Sequence, residues 1–242
     1  PFMNAPAWDP VGLQIGDRDN EAERVAVCHE VTGDVVDRVL ALGVDTLVSY
    51  HPLLFDPVVE LIDGPGQVGR AIRLIRGGVS LIVLHTAMDV ASNGTGDALL
   101  AVLGITAQGK FGNVDSSSEH QIGRYGSLAQ PLTTSEFAVL VGDRLGAATR
   151  IAGDLNKSVS SVGVLPGSGS GFIAEAAAIV DVLVTGDVSH HRAREAVESG
   201  VAVIDAGHIP TERPGVESLY AAVRDVAADA EYIDSDPHPW EA

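Results

Sequence analysis

Lysine and cysteine are scarce in this chain, and each scarcity excludes something. Lys110 and Lys157 are the only lysines among 242 residues, and Lys plus Arg total 15 against 33 Asp plus Glu, a formal net charge of −18. A surface this acidic repels a phosphate backbone and an anionic membrane, so nucleic acid is not an expected partner. Its plain consequence is a solvated surface that favours solubility. Cys28 is the single cysteine, which rules out an internal disulfide and makes a reducing compartment, the cytoplasm, the expectation. It lies in the apolar run Val25-Ala26-Val27-Cys28, where a buried structural thiol is expected rather than a nucleophile. No apolar stretch reaches the roughly 18 residues of a membrane helix, and no signal-peptide pattern opens the chain. Because it starts at Pro1 rather than Met, an N-terminal segment is expected to precede it.

What is present is a set of histidines and carboxylates where apolar runs stop. Asp45-Thr46-Leu47-Val48-Ser49 leads to Tyr50-His51, Val79-Ser80-Leu81-Ile82-Val83-Leu84 to His85 and Asp89, and Val201-Ala202-Val203-Ile204-Asp205-Ala206 to His208 and Glu212. The runs are short, β-branched and bounded by Gly or Pro, as buried parallel strands are. Ligands of open α/β sheets bind beyond the carboxyl ends of strands, so the three tips are expected to meet in one crevice. Imidazole nitrogens with carboxylate oxygens suit Zn, Fe or Mn. Pro52 biases His51 to an extended exit from its strand. Asp89 is expected on a loop after His85, and Thr211 is expected to cap a helix running through Leu219.

The chain also repeats itself. Residues 70–82 align without gaps on residues 192–204, both segments run into a histidine, and Asp45-Thr46-Leu47-Val48-Ser49 matches Asp181-Val182-Leu183-Val184-Thr185. The order strand, loop, helix, strand, histidine therefore occurs twice, as two right-handed βαβ units. An α/β fold of two similar lobes follows, with mixed sheets flanked by helices and a metal site in the cleft between them. The first lobe is expected over residues 1–114, completed by 220–242, and the second over 115–219, with the polar run 113–120 as the boundary. Thr133 and Glu136 form a capping-box pattern opening a helix through Leu145. Val159 to Leu165 reads as a strand, and Pro166-Gly167-Ser168-Gly169-Ser170-Gly171 as a tight turn feeding a helix from Phe172 to Ile179. Ser189 is placed to cap a helix that begins with His190 and His191, which orient ligands or are simply exposed. The same two readings hold for His29 at the end of the first strand.

Trp8-Asp9-Pro10-Val11-Gly12-Leu13-Gln14-Ile15-Gly16, Ser49 to Phe55, His85-Thr86-Ala87-Met88-Asp89, Thr185-Gly186-Asp187 through His191, and Gly207 to Glu212 together resemble the NGG-interacting factor three family. Its members are commonly labelled GTP cyclohydrolase 1 type 2 homologues, and the resemblance runs from about Trp8 to Leu219. It implies a dinuclear metal site in a two-lobed α/β fold and subunits assembled into a toroidal hexamer. Position by position, His51, Asp89 and Glu212 match ligands of one ion, and His208 with the bridging Glu212 match ligands of the second. Tyr50 stands where members usually have histidine. A phenol of ordinary pKa about 10 suits iron better than zinc, so the second ion is weakly held, exchanged for a harder metal or absent. Members with a long inserted domain differ from this chain, which has only a short link.

Two functions follow from the resemblance. One is a divalent-metal-dependent hydrolase of a small molecule, with a nucleotide such as GTP implied by the label and His85 or His191 moving protons. The other is a non-catalytic metal-binding scaffold or metal chaperone. Encirclement of nucleic acid by a ring suits a toroid but opposes the net charge.

Overall fold

A computed structural model describes residues 5–117 and 119–234 of the chain. Ser118 of the polar link and residues 235–242 of the C-terminal segment lie outside them. The chain divides into two compact units, residues 1–91 with 216–242, and residues 92–215.

In the first unit, β1 (Gly12–Ile15), β2 (Val25–Cys28), β3 (Thr46–Ser49), β4 (Ser80–Val83) and β11 (Glu231–Ile233) form one sheet in the order β1-β4-β3-β2-β11. β11, β2, β3 and β4 run parallel, and β1 closes the β4 edge antiparallel. Alternation along β2 shows why both faces are covered. Ala26 and Cys28 join a core with Val35, Val36 and Val39 of α1 (Gly33–Leu42) and Leu74 of α2 (Gln67–Arg76). Val25 and Val27 point to the other face, with Val48, Tyr50, Val216 and Leu219. Each fully buried Val or Leu here contributes about 1.5–3 kcal/mol relative to exposure. The apolar spacing of α1 is finished by local chemistry: Thr32 accepts from the Val35 N–H at its start, and Gly43 ends it in the left-handed conformation. Cys28 is fully buried, and burial pushes its thiol up to about 12.

The second unit holds a six-stranded sheet in the order β5-β6-β8-β9-β10-β7, built from β5 (Ala107–Asn113), β6 (Gln121–Thr133), β7 (Arg150–Ala152), β8 (Ser158–Val164), β9 (Val182–Thr185) and β10 (Ala202–Asp205). β8, β9 and β10 are parallel and the remaining pairs antiparallel. Val182 and Val184 of β9 pack on one face with Leu99 and Leu100 of α4 (Thr95–Val102) and Phe137 and Val141 of α5 (Thr134–Leu145). Leu183 packs on the other with Ile173 and Ala176 of α6 (Ile173–Ala177) and Ala196 of α7 (His190–Ser199). The capping box forms as the sequence predicts, with Thr133 accepting from the Glu136 N–H at 3.2 Å and Glu136 from the Thr133 N–H at 2.8 Å. Beyond the Gly/Ser turn the chain makes a 3₁₀ turn (Ser170–Phe172) before α6, so the helix expected from Phe172 to Ile179 is shorter.

The repeat is visible in both sheets. β3, α2 and β4 in one, and β9, α7 and β10 in the other, are parallel strands joined through a helix and followed by His85 and His208. An aspartate stands at the mouth of each first strand. Asp45 accepts from the backbone N–H groups of Glu23 and Arg24, just before β2, and Asp181 from those of Ser160 and Ser161 within β8, so each carboxylate ties its strand to the neighbouring one.

Candidate metal centre

The strand tips of the first unit collect rings. Pairing of β2 with β3 runs past both strands, since the His51 N–H donates to the His29 carbonyl at 2.9 Å, and this sets the two imidazoles 5.0 Å apart. His29 and Tyr50 are 2% exposed. The Tyr50 ring lies 5.1 Å from His51 and 5.9 Å from His85, and its hydroxyl donates to Asp89 Oδ1 at 2.7 Å. His85 and Asp89 lie on a short helix, α3 (His85–Val90), rather than on the loop that the sequence suggests. A spacing of four then stacks both side chains on one helical face. The helix begins directly at the strand end because Asp9 holds it there. The buried Asp9 carboxylate accepts from the Thr86 N–H at 3.0 Å, from the Thr86 hydroxyl, and meets His85 Nδ1 at 2.8 Å. His85 itself has φ 33°, a strained value for a non-glycine residue. Burial works to raise the Asp9 pKa, but the bonds from His85 and Thr86 outweigh it and hold the carboxyl below its ordinary value.

The tip of β10 in the second unit collects acid and glycine instead. α8 (His208–Arg224) starts at His208, so Thr211 does not cap it as expected. The Thr211 hydroxyl folds back onto the carbonyls of Gly207 and His208, as threonine does inside helices, and accepts from the Gly167 N–H at 2.9 Å. Gly167, at φ +71°, lies so close to the acid that a Cβ there would sit 2.2 Å from Glu212 Oε1. His208 is gripped at both nitrogens, by Asp187 Oδ2 at Nδ1 (2.7 Å) and by Glu212 Oε1 at Nε2 (3.0 Å). Burial works to lower its pKa, yet Glu212 and Asp187 prevail and raise it to about 9. The ring is thus set between two carboxylates, in a place chemically suited to a cation.

Among the described residues, His29, His51 and Glu212 form a group that could hold a metal ion: one ligand atom from each, all within 4.8 Å of one another. Glu212 is 4% exposed, and Val216 and Leu219, further along its helix, are buried with Val48 and Tyr50. The donor set of two imidazoles and a carboxylate fits Zn, Fe or Mn. Of the residues singled out in the sequence, His51 and Glu212 thus come together with each other, Tyr50 with Asp89, and His208 with Glu212. His191 sits exposed on the first turn of α7, its ring 5.6 Å from His190, after Ser189 has capped the helix as expected. Three residues carry more of the site than the sequence reading gave them: His29, and the aspartates Asp9 and Asp187 that hold His85 and His208. Asp9 and Asp187 stand within the motifs quoted above, but no spacing rule links either to its histidine.

Known proteins agree with this architecture. A GTP cyclohydrolase 1 type 2 homolog of Streptomyces coelicolor is 33% identical over 249 aligned positions, covering 100% of this chain and 84% of that protein. One from Clostridium perfringens is 29% identical, covering 93% and 87%. The crystal structure of a Staphylococcus aureus hypothetical protein superposes with a TM-score of 0.87 at 25% identity, covering 100% of this chain and 94% of that one. A sequence profile of the Duf34/NIF3 (NGG1p interacting factor 3) family matches residues 1–239, and this chain belongs to that family.

Proposed function

We propose that this chain is a divalent-metal-dependent hydrolase of a small molecule, a nucleotide being the substrate class to which its relatives' names point. The observation that carries the reading is the convergence of His51 and Glu212 with a second imidazole within 4.8 Å, two of the three groups being buried. The family resemblance would add Asp89 to His51 and Glu212 for one ion, and His208 to Glu212 for a second. Bound metal would supply Lewis-acid polarisation and a water acidified toward neutral pH. The residues around it have separable tasks. Asp187 orients His208, and Asp9 orients His85 in the same way, engaging Nδ1 so that Nε2 is the ring nitrogen left for moving a proton. His191 is the second candidate for that proton. A cytoplasmic, six-membered ring of such chains accompanies this reading, as the family resemblance implies.

A non-catalytic metal carrier is the second reading, favoured by the Tyr50–Asp89 hydrogen bond, which engages a carboxylate that an ion would otherwise take. Turnover separates the two. Protein loaded with Mn, Fe or Zn is offered GTP and a panel of nucleotides and phosphoesters, alongside a double variant, His51→Ala with Glu212→Ala. Hydrolysis by the native chain alone is the expected result, and equal rates in both would reject catalysis in favour of the carrier.

A further inference from the structure

We infer that His29 is a ligand of the cation and that Tyr50 is a positioning residue, holding Asp89 rather than binding the ion. The inference deepens the metal-binding reading above and rests on it. Three observations support it. His29 is placed by backbone geometry, because the β2–β3 ladder continues through the His51 N–H to the His29 carbonyl and seats the two rings side by side at 5.0 Å. It is 2% exposed, and the ligand atoms of His29, His51 and Glu212 already lie within 4.8 Å of one another. Two imidazole nitrogens each about 2.1 Å from one ion in tetrahedral array sit about 3.4 Å apart, a spacing open to two rings whose centroids are 5.0 Å apart. The phenol is engaged elsewhere: its hydroxyl donates to Asp89 Oδ1 at 2.7 Å, which aims its one polar atom at the carboxylate.

The ligand class is a borderline divalent cation that takes neutral imidazole together with carboxylate, Zn(II), Fe(II) or Co(II), in preference to Mg(II) or Ca(II). The test uses cobalt(II) and iron as probes on the full chain. His29→Ala is expected to weaken cobalt binding about 100-fold or more, beyond the 10- to 100-fold typical of losing an outer partner, and Tyr50→Phe to weaken it about tenfold or less. His29→Cys, a variant of modest volume change, is expected to gain a near-ultraviolet thiolate-to-cobalt charge-transfer band. The native chain, with Cys28 already beside that position, is the control for it. Iron-loaded, oxidised native protein is expected to lack a visible phenolate-to-iron band. Should His29→Cys show no such band while His51→Ala and Glu212→Gln abolish binding, the assignment of His29 falls and the metal site stands. A phenolate band removed by Tyr50→Phe would overturn the role given to Tyr50. Native protein that binds neither metal would overturn this inference and the proposed function together.

Discussion

The two repeats end in the same device built from different material. After β4, His85 is held at Nδ1 by Asp9, whose side chain is wholly buried; after β10, His208 is held at Nδ1 by Asp187, whose side chain is 56% exposed. Around His85 the structure gathers the rings of Tyr50, His51 and Phe55, the first two of which also meet His29. Around His208 it gathers Glu212 and the close-packed backbone of Gly167. The two repeats thus share the strand–helix–strand frame and the aspartate clamp, while one tip is lined by rings and the other by carboxylates. The clamps differ in what else they hold. Asp9 also fastens the start of α3 through both polar hydrogens of Thr86, so it is structural as well as orienting.

Replacing each clamp in turn is the strongest way to break that parallel. Asp9→Ala strands buried donors of Thr86 and His85 and should cost about 2–4 kcal/mol in urea unfolding, whereas Asp187→Ala should cost less than about 1 kcal/mol. Equal losses would show that Asp9 does no more than its counterpart. Glycine substitutions sharpen the contrast at the next level. A Cβ on Gly167 pays the left-handed backbone penalty and also displaces Glu212, so Gly167→Ala should cost about 2–3 kcal/mol and impair metal uptake. Gly78, at φ +72° with nothing within 4 Å of a Cβ, should cost about 1 kcal/mol, and metal titration should leave it unchanged. The last comparison concerns the paired strand-mouth aspartates. Burial raises the Asp181 pKa, but hydrogen bonds from Ser160 and Ser161 prevail and hold it below the ordinary value. Its charged form therefore stabilises the fold. That contribution is complete above the unfolded carboxylate pKa of about 4 and is lost as pH falls through the lower folded value. Asp181→Asn should lower stability by about 1 kcal/mol at pH 7, and the gap to the native chain should shrink below about pH 4. A gap unchanged in acid would remove the carboxylate from the account.

The frame of this molecule was legible because its signals are local. Short β-branched runs, a capping box at Thr133 and Glu136, and gapless similarity between residues 70–82 and 192–204 each report on neighbouring residues, and each appears in the structure. Strand tips can be read in the same way, which is how His51, His85, His208 and their carboxylates came forward. Contacts across long stretches of chain left no such trace. Asp9 reaches His85 over 76 positions and Tyr50 reaches Asp89 over 39, and nothing in spacing ties those pairs together. His29 was ambiguous for a related reason, since its partner is set by the register of β2 against β3, which only coordinates supply. Thr211 misled through chemistry, because its hydroxyl serves equally as a cap or as a bond back along a helix already begun.

The single thiol has a practical corollary. Deep in β2 and pushed up to about 12, Cys28 contains almost no thiolate at neutral pH and is closed to solvent, so alkylating and oxidising reagents have nothing to attack in the folded chain. Any cysteine introduced on the surface becomes a unique handle for fluorophores, spin labels or cross-linkers without a prior cysteine-free background. Conversely, labelling of the native sequence would clock its global opening.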